Sequence, residues 1–175
     1  MDLQSRRNLI CGQSNNNNCV KEKRNLFPHN LWTGGDSGEL PNLNRNNYAT
    51  ITYNTTTEYH TNGNYGIITT NTKDNFRPYL RYWIEDISSW IGNTISYTAD
   101  VKTTKPLSLC IYEYNGSSYL SSKTSIPANS ENTFTVTHTI TSTAIALWIG
   151  IEFQTVQNIG EYFYTDNWNL ILNDD

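Results

Sequence analysis

Residues 132–140 read NTFTVTHTI. A threonine stands at every second position, with Phe134, Val136, His138 and Ile140 between. Successive side chains of a strand point to opposite faces, so this period of two predicts a strand with a threonine ladder toward solvent and its other face toward a core. A helix, with its period of 3.6, would scatter both sets around its surface.

From about residue 30 onward the chain repeats this theme. Short runs rich in Thr, Tyr, Ile and Val alternate with Asn, Gly, Ser and Pro. The pattern predicts strands near 47–54, 65–71, 76–83, 94–103, 107–114, 117–122, 132–140, 143–153 and 160–172. Asn115-Gly116 predicts a two-residue type I′ hairpin, whose central positions both need positive φ. The only helix candidate is a turn around Glu85 to Trp90. Such a chain predicts an all-β jelly-roll β-sandwich of eight to nine antiparallel strands.

Alternation also assigns faces. Ile95, Tyr97, Ala99 and Val101 form one core set. Leu107, Leu109 and Ile111 form another, leaving Cys110, Tyr112 and Tyr114 opposite. In TAIALWIGIEF, Ile145, Leu147, Ile149, Ile151 and Phe153 are expected inside, with Trp148, Glu152 and Gln154 facing away. In FRPYLRYW the faces are Phe76, Pro78, Leu80 and Tyr82 against Arg77, Tyr79, Arg81 and Trp83.

Residues 1–29 lack periodicity. They hold an Asn tract, the basic run Lys21, Lys23 and Arg24, and the triplet RNL at Arg7 to Leu9 and Arg24 to Leu26, and are expected to form an arm or linker before a domain at 30–175. Cys11 and Cys19 bracket a short loop and suit a disulfide in an oxidising setting. With Cys110 they make an odd, unclustered set, which is no metal signature. The N-terminal MDLQSRRNLI has no apolar run, so no secretory leader is expected in this chain, and no stretch is apolar enough to span a bilayer.

Charged residues make up 16% of the chain, with a net charge of −4. That argues against a nucleic-acid partner, which calls for a dense Lys/Arg surface. The 24 Asn and 23 Thr, with 13% aromatics, suit neutral, hydroxyl-rich partners instead.

Catalytic signals are missing. His29, His60 and His138 are scattered, and His138 lies on a core face, where a hydrogen-bonded structural role is expected. No nucleophile elbow or phosphate-cradling loop occurs. Glu152 has no acidic partner two residues away, and Glu85 and Asp86 point apart if extended. The chain is not expected to be an enzyme.

Binding is better supported. Sugars offer apolar C–H faces that stack on rings and hydroxyls that bond to planar polar side chains. Arg77, Tyr79, Arg81 and Trp83 supply such a strand, and Tyr112, Tyr114, Trp148, Glu152 and Gln154 would supply its neighbours. The competing reading is a sheet face merely covered by Tyr and Trp, with Arg stems packed over them. Trp32 and Trp90 fall in loops, either lining a site or plugging the core.

Several segments resemble the jelly-roll carbohydrate-binding modules of the xylan- and glucan-binding kind, a galactose-binding-like β-sandwich. HTNGNYGIITTN (60–71) is similar to their Gly-aromatic-strand segment. IGNTISYTADVKTTKPLSLCIYEYNG (91–116) is similar to a Gly-x-Thr strand followed by a second strand. NTFTVTHTITSTAIALWIGIEF (132–153) resembles their paired penultimate strands, and GEYFYTDNWNLIL (160–172) their closing strand. The resemblance covers roughly residues 30–172 and implies non-catalytic polysaccharide binding. It also implies a structural calcium held by Asp166 together with groups near the first strand. The family usually places a Glu after a Phe near the module start, but here Pro28 follows Phe27, so Asp36, Glu39 or Glu58 would have to stand in. The alternative for Asp166 is a carboxylate bonding loop amides.

Similar modules with RNL phrases recur in tail appendages of bacterial and archaeal viruses, which implies an extracellular or virion-surface protein. The alternative is a module cut from a surface adhesin or glycan-degrading enzyme. From a different class, the chain would be a structural or assembly sandwich whose aromatic face meets protein neighbours.

Overall fold

The computed structural model describes Leu26 and residues 43–45, 49–54 and 66–173. The expected Cys11–Cys19 disulfide, Trp32, His29, His60 and the calcium stand-ins Asp36, Glu39 and Glu58 lie outside the described residues. So does the 1–29 arm, apart from Leu26, whose backbone N–H donates to the Leu170 carbonyl at 2.7 Å.

The chain forms strands β1 (Leu43–Arg45), β2 (Ala49–Asn54), β3 (Gly66–Asn71), β4 (Tyr79–Glu85), β5 (Thr94–Thr103), β6 (Leu107–Tyr114), β7 (Tyr119–Ile126), β8 (Ser130–Thr139), β9 (Ala146–Phe153) and β10 (Tyr162–Asn173). A 3₁₀ turn, Ser88–Trp90, follows β4. The strands make two five-stranded sheets in the orders β1-β4-β9-β6-β7 and β2-β3-β10-β5-β8. All pairings are antiparallel. This is the expected jelly-roll sandwich, with ten strands among the described residues rather than eight or nine. The added strand is β1, too short to show periodicity.

Alternation predicted most of the core. Ile95, Tyr97, Ala99, Val101, Leu107, Leu109, Ile111, Leu147, Ile149, Ile151 and Phe153 are all fully buried between the sheets. Tyr97 meets Trp168 edge-on at 5.2 Å, and Phe153 meets Phe163 at 5.5 Å. Trp90 packs against this core, so it plugs rather than lines. The outward threonines pair across β5 and β8: Thr94 with Thr139 at 2.8 Å and Thr98 with Thr135 at 3.1 Å, the cross-strand contacts that stabilise an exposed sheet face.

Two expectations need correction. Ile145 is 55% exposed. It precedes β9, and its N–H donates to the Tyr114 carbonyl at 2.9 Å, so the inward set starts at Leu147, and Ala144 is buried in its stead. The Asn115-Gly116 turn is not a two-residue I′ turn. Tyr114 pairs with Tyr119, leaving residues 115–118 as the loop. The Asn115 side chain accepts the backbone N–H groups of Ser117 at 3.1 Å and Ser118 at 2.9 Å. Only Gly116 of the two residues takes positive φ, 95°. Asn bonding its own loop won over Asn in the left-handed region.

His138 is the hydrogen-bonded core histidine expected. Its Nδ1 lies 2.9 Å from Ser122 Oγ on β7, and its Nε2 lies 2.9 Å from Glu113 Oε2 on β6. Thr124 Oγ1 also donates to the Thr135 carbonyl at 2.8 Å. These bonds join β8, an edge strand of one sheet, to β7 and β6 of the other.

The Asp-Asn pair inside β10 is explained by an irregularity. The β10–β5 register shifts between Asp166 and Asn169, and Asn167 sits at φ 47°. A bulge tolerates Asn in the left-handed region where a regular strand would not.

Candidate functional site

Antiparallel register sorts the outer face of the β4-β9-β6-β7 part of the first sheet into cross-strand rows. One row is Glu85, Ala146, Tyr114 and Tyr119. The next is Trp83, Trp148, Tyr112 and Ser121, then Arg81, Gly150, Cys110 and Lys123, then Tyr79, Glu152, Ser108 and Ser125. Arg77 precedes β4 and Gln154 follows β9, beside the last row. The predicted residues Arg77, Tyr79, Arg81, Trp83, Tyr112, Trp148, Glu152 and Gln154 therefore belong to one face.

Their surroundings divide them. At one end is an aromatic platform. The Trp83 and Trp148 rings lie 4.6 Å apart, Trp83 and Tyr114 6.2 Å, and Tyr114 and Tyr119 4.9 Å. Trp83, Trp148 and Tyr114 are half-buried, and Tyr119 is 56% exposed. The Trp83 indole N–H donates to Glu85 Oε1 at 2.8 Å. Rings held by neighbouring rings keep their orientation, and they offer flat apolar surface at little entropic cost.

Beside the platform lies a polar network centred on Glu152. Its Oε2 accepts Arg81 Nη2 at 2.5 Å, and its Oε1 accepts Lys123 Nζ at 2.8 Å. The Tyr112 hydroxyl donates to both oxygens, at 2.9 and 3.0 Å. Arg77 Nη2 is 3.5 Å from Oε1, while Arg77 Nε donates to the Phe153 carbonyl at 3.1 Å. The Arg81 guanidinium lies over the Tyr79 ring at 4.1 Å and the Tyr112 ring at 4.4 Å, and Lys123 Nζ lies 4.8 Å over Tyr112.

Gly150 makes room for this arrangement. A Cβ there would sit 2.2 Å from the Leu80 carbonyl oxygen, 2.8 Å from Arg81 Cα and 2.9 Å from Arg81 Cγ. Gly150 and Cys110 stand between Arg81 and Lys123 in the same row, and Glu152, which both cations reach, is only 5% exposed.

Burial opposes the Glu152 charge, but the Lys123 and Arg81 contacts outweigh it and hold the carboxyl below its ordinary range. Burial likewise opposes the charge on Lys123, and its bonds to Glu152 and Tyr112 raise its pKa nonetheless. Tyr112 is raised by burial, so it acts as a neutral hydroxyl donor. Burial first, and Glu152 second, push the Cys110 thiol up to about 12. A thiol in that state is an inert floor residue.

Gln154 bonds the Leu107 carbonyl and Ser125 Oγ, both at 2.8 Å. Its donors hold the far end of the sheet together. Residue-by-residue reading missed Lys123, Tyr119 and Gly150. The predicted strand 117–122 stopped before Lys123, because YLSSKTSI lacks an apolar alternation. Extending it by period two places Tyr119, Ser121 and Lys123 on one face.

Asp166 stands elsewhere, on the second sheet, fully buried and directly opposite Asp100. Asp166 Oδ1 accepts the Asn167 backbone N–H at 2.8 Å. Asp100 accepts hydrogen bonds from Thr133 Oγ1 and from Asn167 Nδ2, the latter at 2.8 Å.

No family model matches the sequence, and no curated protein matches it. Solved structures do match the fold. A tailspike protein 4 enzymatically active domain of bacteriophage CBA120 superposes with TM-score 0.60 at 14% identity, covering 75% of this chain. The chain spans only 19% of that protein. The CBM22-2 xylan-binding domain of Paenibacillus barcinonensis Xyn10C gives TM-score 0.59 at 12% identity, over 78% of this chain and 94% of that one. The C-terminal family 22 carbohydrate-binding module of Clostridium thermocellum Xyn10B gives 0.56 at 12%, over 82% and 94%. The chain thus has the jelly-roll fold of carbohydrate-binding modules. At these identities the likeness concerns the fold.

Proposed function

We propose that this protein binds polysaccharide or cell-surface glycan without cleaving it, through the outer face of β4, β9, β6 and β7. The observation that carries this reading is the platform of Trp83, Trp148, Tyr114 and Tyr119 lying directly beside hydrogen-bonding Tyr112, Glu152, Arg81 and Lys123. Stacking surface for a pyranose face and polar groups for its hydroxyls stand side by side, as sugar recognition requires. The fold shared with carbohydrate-binding modules supports it. Binding without hydrolysis fits a face on which Glu152 is tied to cations and Glu85 holds the Trp83 indole N–H. The Ser122–His138–Glu113 chain has the residue types of a nucleophilic relay, but His138 is 6% and Glu113 2% exposed, and Glu113 also accepts the Thr141 N–H at 2.9 Å. It clamps the sheets.

A glycan array followed by Trp83→Ala and Trp148→Ala tests the reading. Wild type should bind at least one glycan, and each substitution should weaken it about tenfold, the loss of roughly 1.4 kcal/mol. Absence of binding across the array, or variants that bind like wild type, would sink it.

The tailspike likeness supports a place on a virion surface, where the module would hold host glycans as part of a larger assembly. A second reading is a protein interface, favoured by exposed Tyr119, Leu120 and Ile145 around the platform's end. Burial of Trp83 and Trp148 in a stable oligomer would favour that reading.

Calcium belongs to the same proposal. Asp166 with Asp100 opposite supplies hard oxygen atoms of the kind a calcium ion takes. Chelation should then lower the melting temperature, since a ligand bound only by the native state adds stability. An unchanged melting temperature removes the ion.

A further inference from the structure

We propose that the glycan this face takes is anionic, a polysaccharide whose sugars carry carboxylates, with the carboxylate set over Lys123 at the edge of the sheet. This rests on the glycan-binding reading above and names its substrate class. In a chain of net charge −4, Arg81 and Lys123 converge on Glu152, at 2.5 and 2.8 Å. One carboxylate thus faces a surplus of positive charge, and the surplus sits beside the aromatic platform.

The cations keep donors to offer. An ammonium has three N–H bonds and a guanidinium five, whereas Glu152 has only two oxygens and also accepts the Tyr112 hydroxyl. The Lys123 side chain is 38% exposed. In register it lies one row from Ser121, Tyr112 and Trp148, about 7 Å along the strand. A sugar ring stacked over the Trp148 row could therefore place a ring carboxylate against Lys123. Glu85, the acidic group of the platform, lies beyond Trp83 at the opposite end and holds its indole N–H.

A neutral polymer would gain little from this charge. Gathering Arg81 and Lys123 around a buried carboxylate carries a desolvation cost. An acidic polymer, repelled by the chain as a whole and attracted by one face, would be oriented by the field as it approaches.

The test uses a panel of acidic polysaccharides, each paired with its carboxyl-reduced neutral form, and titrates the full chain with both at low and moderate salt. At least one acidic polymer should bind about tenfold more tightly than its reduced partner, as expected for one charge-assisted hydrogen bond. That margin should shrink with salt. Lys123→Met should erase most of the preference and Lys123→Arg should restore it, with melting curves confirming that both fold. Equal binding of both forms would overturn the anionic assignment and leave the glycan reading intact. No binding to any polymer, acidic or reduced, would overturn both. A preference kept in full by Lys123→Met would remove Lys123 from the assignment.

Discussion

Lys123 reaches from the edge strand β7 across Cys110 to place its Nζ 2.8 Å from Glu152 on β9, two strands away. The contact ties the sheet edge to its centre. It also closes a cluster in which Glu152, at 5% exposure, holds Arg81 on its other oxygen. The geometry puts more weight on Glu152 than on either cation, because both cations depend on it.

Glu152→Gln should therefore destabilise the fold by about 3 kcal/mol, the lower end of the range for a broken buried pair, since Lys123 is partly solvated. Lys123→Met should cost less. A double-mutant cycle between these positions, read by urea unfolding, should show coupling. Additive effects would mean the ion pair is not formed in solution.

Acid should destabilise the protein only once the pH falls below the ordinary carboxylate range. Burial works against the charge on Glu152 and Glu113, yet Lys123 and Arg81 in one case, and Thr141 and His138 in the other, hold both carboxyls below their ordinary values. A carboxyl whose pKa is lower folded than unfolded stabilises fully above the unfolded value of about 4.3. That contribution is lost as pH falls through the folded value. Melting temperature should hold through mildly acidic pH and drop steeply below about 4. The gap between wild type and Glu152→Gln should narrow over the same window. A gap that stays constant down to strongly acidic pH would contradict the shift.

Gly150→Ala should disrupt the site through sterics alone. The new methyl would meet the Leu80 carbonyl oxygen at 2.2 Å and the Arg81 backbone, atoms that cannot swing aside. The expected cost is about 1–3 kcal/mol or more, together with weakened glycan binding as Arg81 is displaced from between Tyr79 and Tyr112. Unchanged stability would show that β4 and β9 are further apart than described.

His138→Ala should leave Glu113 buried with one partner fewer and open the β7–β8 edge. Loss of a hydrogen bond to a buried carboxylate costs about 2–3 kcal/mol, and amide exchange should quicken first around Ser122 and Thr135. Uniform exchange across both sheets would argue against a clamp.

What could be read from the residues follows from how each was specified. The sheets were legible because Ile95 to Val101 and Leu147 to Phe153 alternate without interruption. Ile145 misled because its apolar character continued a pattern that the backbone had already left. The aromatic and arginine residues of the face were legible as a strand set. Their division into platform and ion cluster was not, because it depends on cross-strand register: only pairing brings Gly150 under Arg81 and Lys123 toward Glu152. Asp166 was noticed for its incongruity in a strand, and a bulge accounts for its place.

The gap left at Gly150 has a use beyond this molecule. Arg81-x-Trp83 on one strand and Trp148-x-Gly150-x-Glu152 on its antiparallel neighbour form a two-line grammar: indole opposite indole, guanidinium opposite hydrogen, then carboxylate. Jelly-roll chains too divergent for alignment can be searched for that pairing, and those carrying it, with a basic residue across the sheet, should share this face even where no other stretch can be matched.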